Sequence, residues 1–272
     1  MATLGVLSCQ ILELEFSYIL ANDSDISEII VMDNEFSQGL IEALKKRTGS
    51  TPRLVSAFGE YFRQDNSGLT VLVSILDVGL HIVIKHLQEG VVKASKEMSS
   101  HVDGIMLGYG MCGNALTNPE ELLRNEGVRV PVFIPMDEGH PVDDCVGLLI
   151  GGREIYYAEQ CNIAGTMFMT PGFTRHWKTI MIKGNREGKL DWKISKRLFK
   201  HFERNLFLTT PVLSKETMVE NVKEFNQHHG FRNEIRQGTL DLLLSTWKTA
   251  KKSIGGNVDS CAENYKTTIR GN

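Results

Sequence analysis

The segment from Val102 to Cys145 constrains the fold more than any other part of the chain. It reads VDGIMLGYGMCGNAL, continues through a helical stretch, and resumes as VRVPVFIPMDEGHPVDDCVGLLIG. Two apolar runs, 102–107 and 130–135, each end in a turn that carries reactive side chains: Cys112 after the first, and His140, Asp144 and Cys145 after the second. Short apolar runs alternating with helical spacing mark a parallel sheet with crossover helices, and open α/β sheets form their sites at such turns. A packed core alone does not need that arrangement.

The same alternation runs through the first half of the chain. Residues 4–8 read as a buried strand followed by a helix from about Gln10 to Leu20, with Cys9 at the junction. A second strand is expected over 26–32, then a helix over 36–47 that Asp33 or Asn34 would cap and whose basic end suits the helix dipole. Residues 48–59 are rich in turn formers, 69–80 fit strand and helix periodicity equally, and 83–98 have helical spacing. Pro119 suits the first turn of a helix to about Asn125, and Asp143 or Asp144 suits the cap of a helix over 143–149. Residues 154–157 and 165–169 read as short extended pieces.

From Phe173 the texture becomes helical, with candidates over 174–181, 191–202, 215–227 and 238–251. In the last, Leu240, Leu243, Leu244 and Trp247 form an apolar stripe that reads as a docking face. The polar, basic stretch 252–272 reads as a tail or a small capping element. The expected architecture is therefore α/β: an open, mostly parallel sheet flanked by helices, with a helical C-terminal portion. Residues 1–172 form the α/β region carrying the site, and 173–272 a mainly helical region packed on it or completing a second lobe.

A net charge of -3 and a pI near 6.3 give no general electrostatic case for nucleic acid or an anionic membrane. No apolar run reaches the roughly 18–20 residues that span a bilayer, and residues 1–10 lack the basic start of a secretory signal, so a cytoplasmic location is expected. The five cysteines, Cys9, Cys112, Cys145, Cys161 and Cys261, are odd in number and scattered, which argues against a disulfide scaffold. They read as buried thiols, metal ligands or a reactive group.

Gly108, Gly110 and Gly113 surround Cys112 and let the backbone turn sharply or approach a cofactor, although GYGMCG lacks the spacing of a dinucleotide fingerprint. Cys9 and Cys112 both follow inferred strands and can meet at the carboxyl edge of one sheet, where His140 and Cys145 follow the next strand. Zinc would accept Cys112, His140 and Cys145, with Cys9 or a water completing the tetrahedron; an iron–sulfur cluster would accept the three cysteines. A covalent mechanism is equally open, with Cys112 as nucleophile, His140 as base and Asp144 orienting it, as is a redox dithiol of Cys112 and Cys145. Cys161, Thr166, Thr170 and Arg175 lie in or beside a compact apolar passage that reads first as core. His81 with His86, five apart, and the adjacent His228 and His229 make poor paired ligands.

Cys9, the GYGMCG turn, the segment from His140 to Cys145 and GTMFMTPGF at 165–173 together resemble the prokaryotic family named domain of unknown function 1638. The resemblance implies a setting in corrinoid-dependent methyl metabolism. It also implies that Cys9, Cys112 and Cys145 share a metal site, while a DxHxxG corrinoid-binding signature is absent from the sequence. The expected function is a metal-dependent enzyme or accessory enzyme of one-carbon or corrinoid-linked methyl metabolism. It would act on a small molecule or beside a corrinoid protein or methyltransferase; the alternative is a non-catalytic metal-binding or assembly protein for such a system.

Overall fold

The computed structural model describes residues 2–62 and 68–255. Its main sheet has the order β3-β2-β4-β1-β5-β6, formed by β1 (Thr3–Cys9), β2 (Ile26–Met32), β3 (Arg53–Val55), β4 (Leu69–Leu76), β5 (Gly104–Gly108) and β6 (Val132–Phe133). Every pairing is parallel, so all six strands end on one edge. The central strands are buried on both faces, which is why they read as continuous apolar runs rather than as an alternation. The stretch 69–80 resolves as strand because residues 69–76 are held on both sides, from Thr3 opposite Thr70 to Cys9 opposite Leu76 on β1, and against β2 on the other.

One face of this sheet carries α1 (Glu13–Asn22) and α2 (Gln38–Thr48), through Phe16, Ile19 and Leu44. The other carries α3 (Ile84–Ser99) and α4 (Pro119–Asn125), through Leu87, Val91 and Leu123. The helix expected after β2 starts later than the sequence reading placed it. Asn34 does not cap it but folds a local turn, its Oδ1 accepting from the Phe36 amide at 2.8 Å and the Ser37 hydroxyl at 3.1 Å.

After β6 the chain makes a small antiparallel hairpin, β7 (Met136–Asp137) and β8 (His140–Pro141), then α5 (Cys145–Ile150) and α6 (Arg153–Asn162). Residues 154–157, expected to be extended, lie within α6, since four residues are too few to separate a strand period from a helical one. A second, parallel sheet follows in the order β11-β10-β9, from β9 (Thr166–Met169), β10 (Arg204–Thr209) and β11 (Arg232–Gln237). Between its strands run α7 (Pro171–Lys183), α8 (Trp192–Leu198), α9 (Lys215–Asn221) and α10 (Lys223–His229), packed through Trp177, Phe207 and Phe225. The sheet thus takes one strand from before residue 172 and two from after it.

The last helix, α11 (Asp241–Ser253), returns to the first sheet. Its apolar stripe is a docking face as expected: Leu243 and Trp247 are fully buried. The Trp247 indole donates to Asp23 at 2.6 Å, and the buried Lys251 ammonium bridges Asp23 at 2.7 Å and Asp25 at 2.6 Å. Among the described residues no helix is long and apolar enough to cross a membrane. Cys261, with most of the polar tail, lies outside the described residues.

Candidate functional site

The connection leaving β1 crosses one face toward β2, while the connection leaving its neighbour β5 crosses the opposite face toward β6. Chains that depart in opposite directions leave a crevice over the carboxyl ends of the two strands, the usual ligand position in open α/β sheets. A cavity of about 400 Å³ occupies that place. Cys9, Tyr109, Cys112, Asp144 and Cys145 line one side, and β9 and α7 line the other with Phe168, Phe173 and Ile180. The wall is mainly apolar.

Two close approaches build this space. Gly172, in the first turn of α7, lies against the main chain of Ile11, where an added Cβ would meet the Ile11 carbonyl oxygen at 1.8 Å. Glycine there lets α7 close over the carboxyl end of β1. Gly110 lies against the backbone of 142–144, and the amides beside it seal that contact: Met111 donates to the Val142 carbonyl at 2.8 Å and Cys112 to the Asp143 carbonyl at 2.8 Å. Cys112 itself has φ +46°, a left-handed conformation that costs a non-glycine residue about 1–2 kcal/mol. The hydrogen bonds hold it there.

Asp144 caps α5, as expected, and its carboxylate accepts three hydrogen bonds. Oδ1 accepts from the amides of Val146 at 2.8 Å and Gly147 at 2.9 Å, and Oδ2 accepts from the Tyr156 hydroxyl at 3.1 Å. Burial raises its pKa against those donors. The three thiols are also desolvated. Burial pushes Cys9 up to about 12 and Cys112 up to about 11, and lifts Cys145 well above the ordinary thiol range. Negative charge on any one would raise its neighbours further: Cys112 acts on Cys9, and both act on Cys145. Near neutral pH all three are thiols rather than thiolates.

The structure therefore brings Cys9, Cys112, Cys145 and Asp144 to one pocket, together with Gly108, Gly110 and Gly113. It places His140 elsewhere. That side chain is exposed on β8 and lines a separate, more polar cavity with Asp137, Asp143 and Arg153. The imidazole at the rim of the thiol pocket is His81, whose Nδ1 is engaged by the Val78 carbonyl. The glycines have local explanations: a Cβ on Gly108 would strike Phe16 and Ser8, each at 2.3 Å, whereas Gly113 faces open space at φ +68°. Soft thiol donors suit a soft metal, but the side chains as placed do not form a ligand set. Among the described residues no three His, Cys, Asp or Glu groups are arranged to hold an ion.

Several lining residues escaped sequence reasoning. Tyr109 stood inside the GYGMCG turn, masked by its glycines, and Phe168 and Phe173 belong to a passage that reads first as core. The polar members of that passage are held by the protein. Thr170 caps α7 by accepting from the Phe173 amide at 3.0 Å, Thr166 accepts from Arg204 at 2.8 Å, and Arg175 reaches the buried Glu13 at 3.3 Å. Cys161 is exposed on α6.

A family model described as "Protein of unknown function (DUF1638)" matches residues 75–247, more than half of the chain. The match includes Tyr109, Cys112, Asp144 and Cys145, and begins after Cys9. No curated protein and no solved structure matches the chain.

Proposed function

The chain belongs to the DUF1638 family, and we propose that it is an enzyme or accessory protein that takes a small, largely apolar molecule into the pocket over β1 and β5 and meets it with the thiols of Cys9, Cys112 and Cys145. The observation that carries this is the convergence of three cysteines from three distant segments in one apolar cavity at the topological switch point. Thiols kept neutral there act as soft contacts and weak donors, and become nucleophiles only when something in the bound state removes or offsets the proton. Asp144, in the same lining, accepts two amides of α5 at Oδ1 and the Tyr156 hydroxyl at Oδ2. The setting suggested by the family resemblance, corrinoid-linked methyl metabolism beside a corrinoid protein or methyltransferase, is the biological context we propose.

Thiol labelling tests the pocket, with maleimides that differ only in their N-substituent and peptide mapping by mass spectrometry. N-cyclohexylmaleimide should label Cys112 faster than N-methylmaleimide does, while exposed Cys161 shows little preference. Equal substituent effects at Cys112 and Cys161 would remove the basis for the proposal.

A second reading is favoured by the donor set: Cys9, Cys112 and Cys145 hold a soft metal, zinc in the first instance and an iron–sulfur cluster in the second, after their side chains draw together. It rests on the same three thiols. Elemental analysis and the absorption spectrum of anaerobically purified protein decide it. Stoichiometric metal that is lost in Cys112→Ser and Cys145→Ser supports a centre, and metal-free protein leaves the small-molecule proposal alone.

A further inference from the structure

The thiol pocket has a mouth, and a histidine stands in it. His81 and Ile84 are exposed members of the lining, whereas Leu12, Tyr109 and Thr170 are buried, so the cavity opens beside the connection from β4 to α3. His81 sits on a short 3₁₀ turn, Val78–Ile82, that is held from two sides. Just past β1, the Gln10 side-chain oxygen accepts from the Val78 amide at 3.1 Å. On α7, Lys183 pairs with Asp77, whose other oxygen caps the turn by accepting from the Gly79 amide at 2.8 Å. Within the turn, His81 Nδ1 is engaged by the Val78 carbonyl. A carbonyl only accepts, so Nδ1 carries the hydrogen and the lone pair of the neutral ring lies on Nε2. No described residue engages Nε2. With Nδ1 directed back onto its own turn, Nε2 lies on the exposed side of the ring, at the mouth.

Other polar side chains of the lining are served by the protein or closed off. Asp144 accepts three hydrogen bonds, Thr170 accepts from the Phe173 amide, and the Tyr109 hydroxyl is buried. Nε2 receives none, so it is an acceptor open to whatever enters. A carboxylate has no donor to offer it. An ammonium brings three donors against one lone pair, and Ile84 and Ile180 in the same lining satisfy none of the rest. A hydroxyl brings one. Resting on the pocket reading above, we infer that His81 is a ligand-binding residue and that the molecule taken up is a small uncharged alcohol. Its hydroxyl donates to Nε2 at the mouth, and its apolar body passes Ile180 and Phe173 toward Cys9 and Cys112.

Benzyl alcohol, ethylbenzene and benzaldehyde test this on the full chain. They share a ring and differ at one end, which is a donor, a methyl group, or an acceptor without a donor. Dissociation constants are measured by ligand-observed NMR for the wild type and His81→Phe. The constant for benzyl alcohol, taken relative to ethylbenzene, should rise about fivefold in the variant, the scale of one net hydrogen bond. The ratio of benzaldehyde to ethylbenzene should not change. A second readout needs no variant: in the wild type, the nitrogen-15 resonance of His81 Nε2 should move on adding benzyl alcohol and stay in place on adding ethylbenzene. An unmoved resonance or an unchanged alcohol ratio, with the ligands still bound, overturns the role of His81 and leaves the pocket reading standing. An equal shift for benzaldehyde overturns the assignment of a hydroxyl. Failure of all three to bind the wild type, or binding that does not slow the labelling of Cys112 by N-methylmaleimide, overturns the pocket reading and the inference with it.

Discussion

Replacing Gly110 by alanine places a Cβ 2.7 Å from the carbonyl oxygen of Val142 and 2.8 Å from both N and Cα of Asp144. All three are main-chain atoms, so no side chain can swing aside to make room. The 142–144 segment must move away from the 108–112 turn, and the hydrogen bonds from the Met111 amide to the Val142 carbonyl and from the Cys112 amide to the Asp143 carbonyl lengthen with it. Overpacking of this kind costs about 1–3 kcal/mol, and each weakened hydrogen bond forfeits up to about 1 kcal/mol. Roughly 3 kcal/mol in all lowers the melting temperature of a chain this size by about 6–12 °C. The displacement also loosens Cys145, which begins α5 directly after the displaced segment. Thermal unfolding should therefore be read together with the labelling rate of Cys145 by iodoacetamide. Gly113→Ala is the control: it bears the left-handed penalty at φ +68° but meets no atom within 4 Å, so Cys145 labelling should not change. A Gly110→Ala protein that loses less than about 1 kcal/mol and labels like the wild type would refute the backbone contact as the reason for glycine.

Two further outcomes follow from buried charge. Glu15 is fully buried with both carboxylate oxygens unpartnered among the described residues, and burial, reinforced by Glu13, pushes it from 4.5 up to about 8. The folded state therefore holds this proton more tightly than the unfolded state does, and the stability it contributes is complete below about pH 4.5 and lost as pH rises to about 8. Glu15→Gln should exceed the wild type by roughly 2–5 kcal/mol in urea unfolding at pH 8, with the gain vanishing at pH 4; a gain independent of pH contradicts the linkage. Lys251→Met removes the ammonium between Asp23 and Asp25 and should cost about 3–5 kcal/mol in urea unfolding at pH 7, part of it recovered in the double variant with Asp23→Leu. A loss below about 1 kcal/mol would show that the pair does not hold α11.

Much of the main sheet could be read from the chain, because β1, β2, β4 and β5 are rich in apolar residues buried within a parallel sheet and so appear as short apolar runs between helices. The meeting of Cys9 with Cys112 followed from the same physics: strands of one parallel sheet end on one edge, so residues just past two neighbouring strands share it. The Asp144 cap was equally local, set by an acidic side chain one residue before a helix. The second sheet was not legible. β11, RNEIRQ, is polar and largely exposed, and β10 stands among helical segments that suggest a bundle. His140 and Cys145 are five residues apart in sequence, yet the hairpin of β7 and β8 turns the imidazole toward another cavity. Spacing along a chain does not fix the direction of a side chain across a turn. The sequence by itself determined a parallel α/β sheet and a carboxyl edge bearing three thiols. Only the tertiary structure decided that β4 lies between β2 and β1, that α7 closes over the thiols through Gly172, and that the Tyr109 hydroxyl is buried without a partner among the described residues. Each of these depends on segments remote in the chain coming to rest against one another, and no local pattern encodes that.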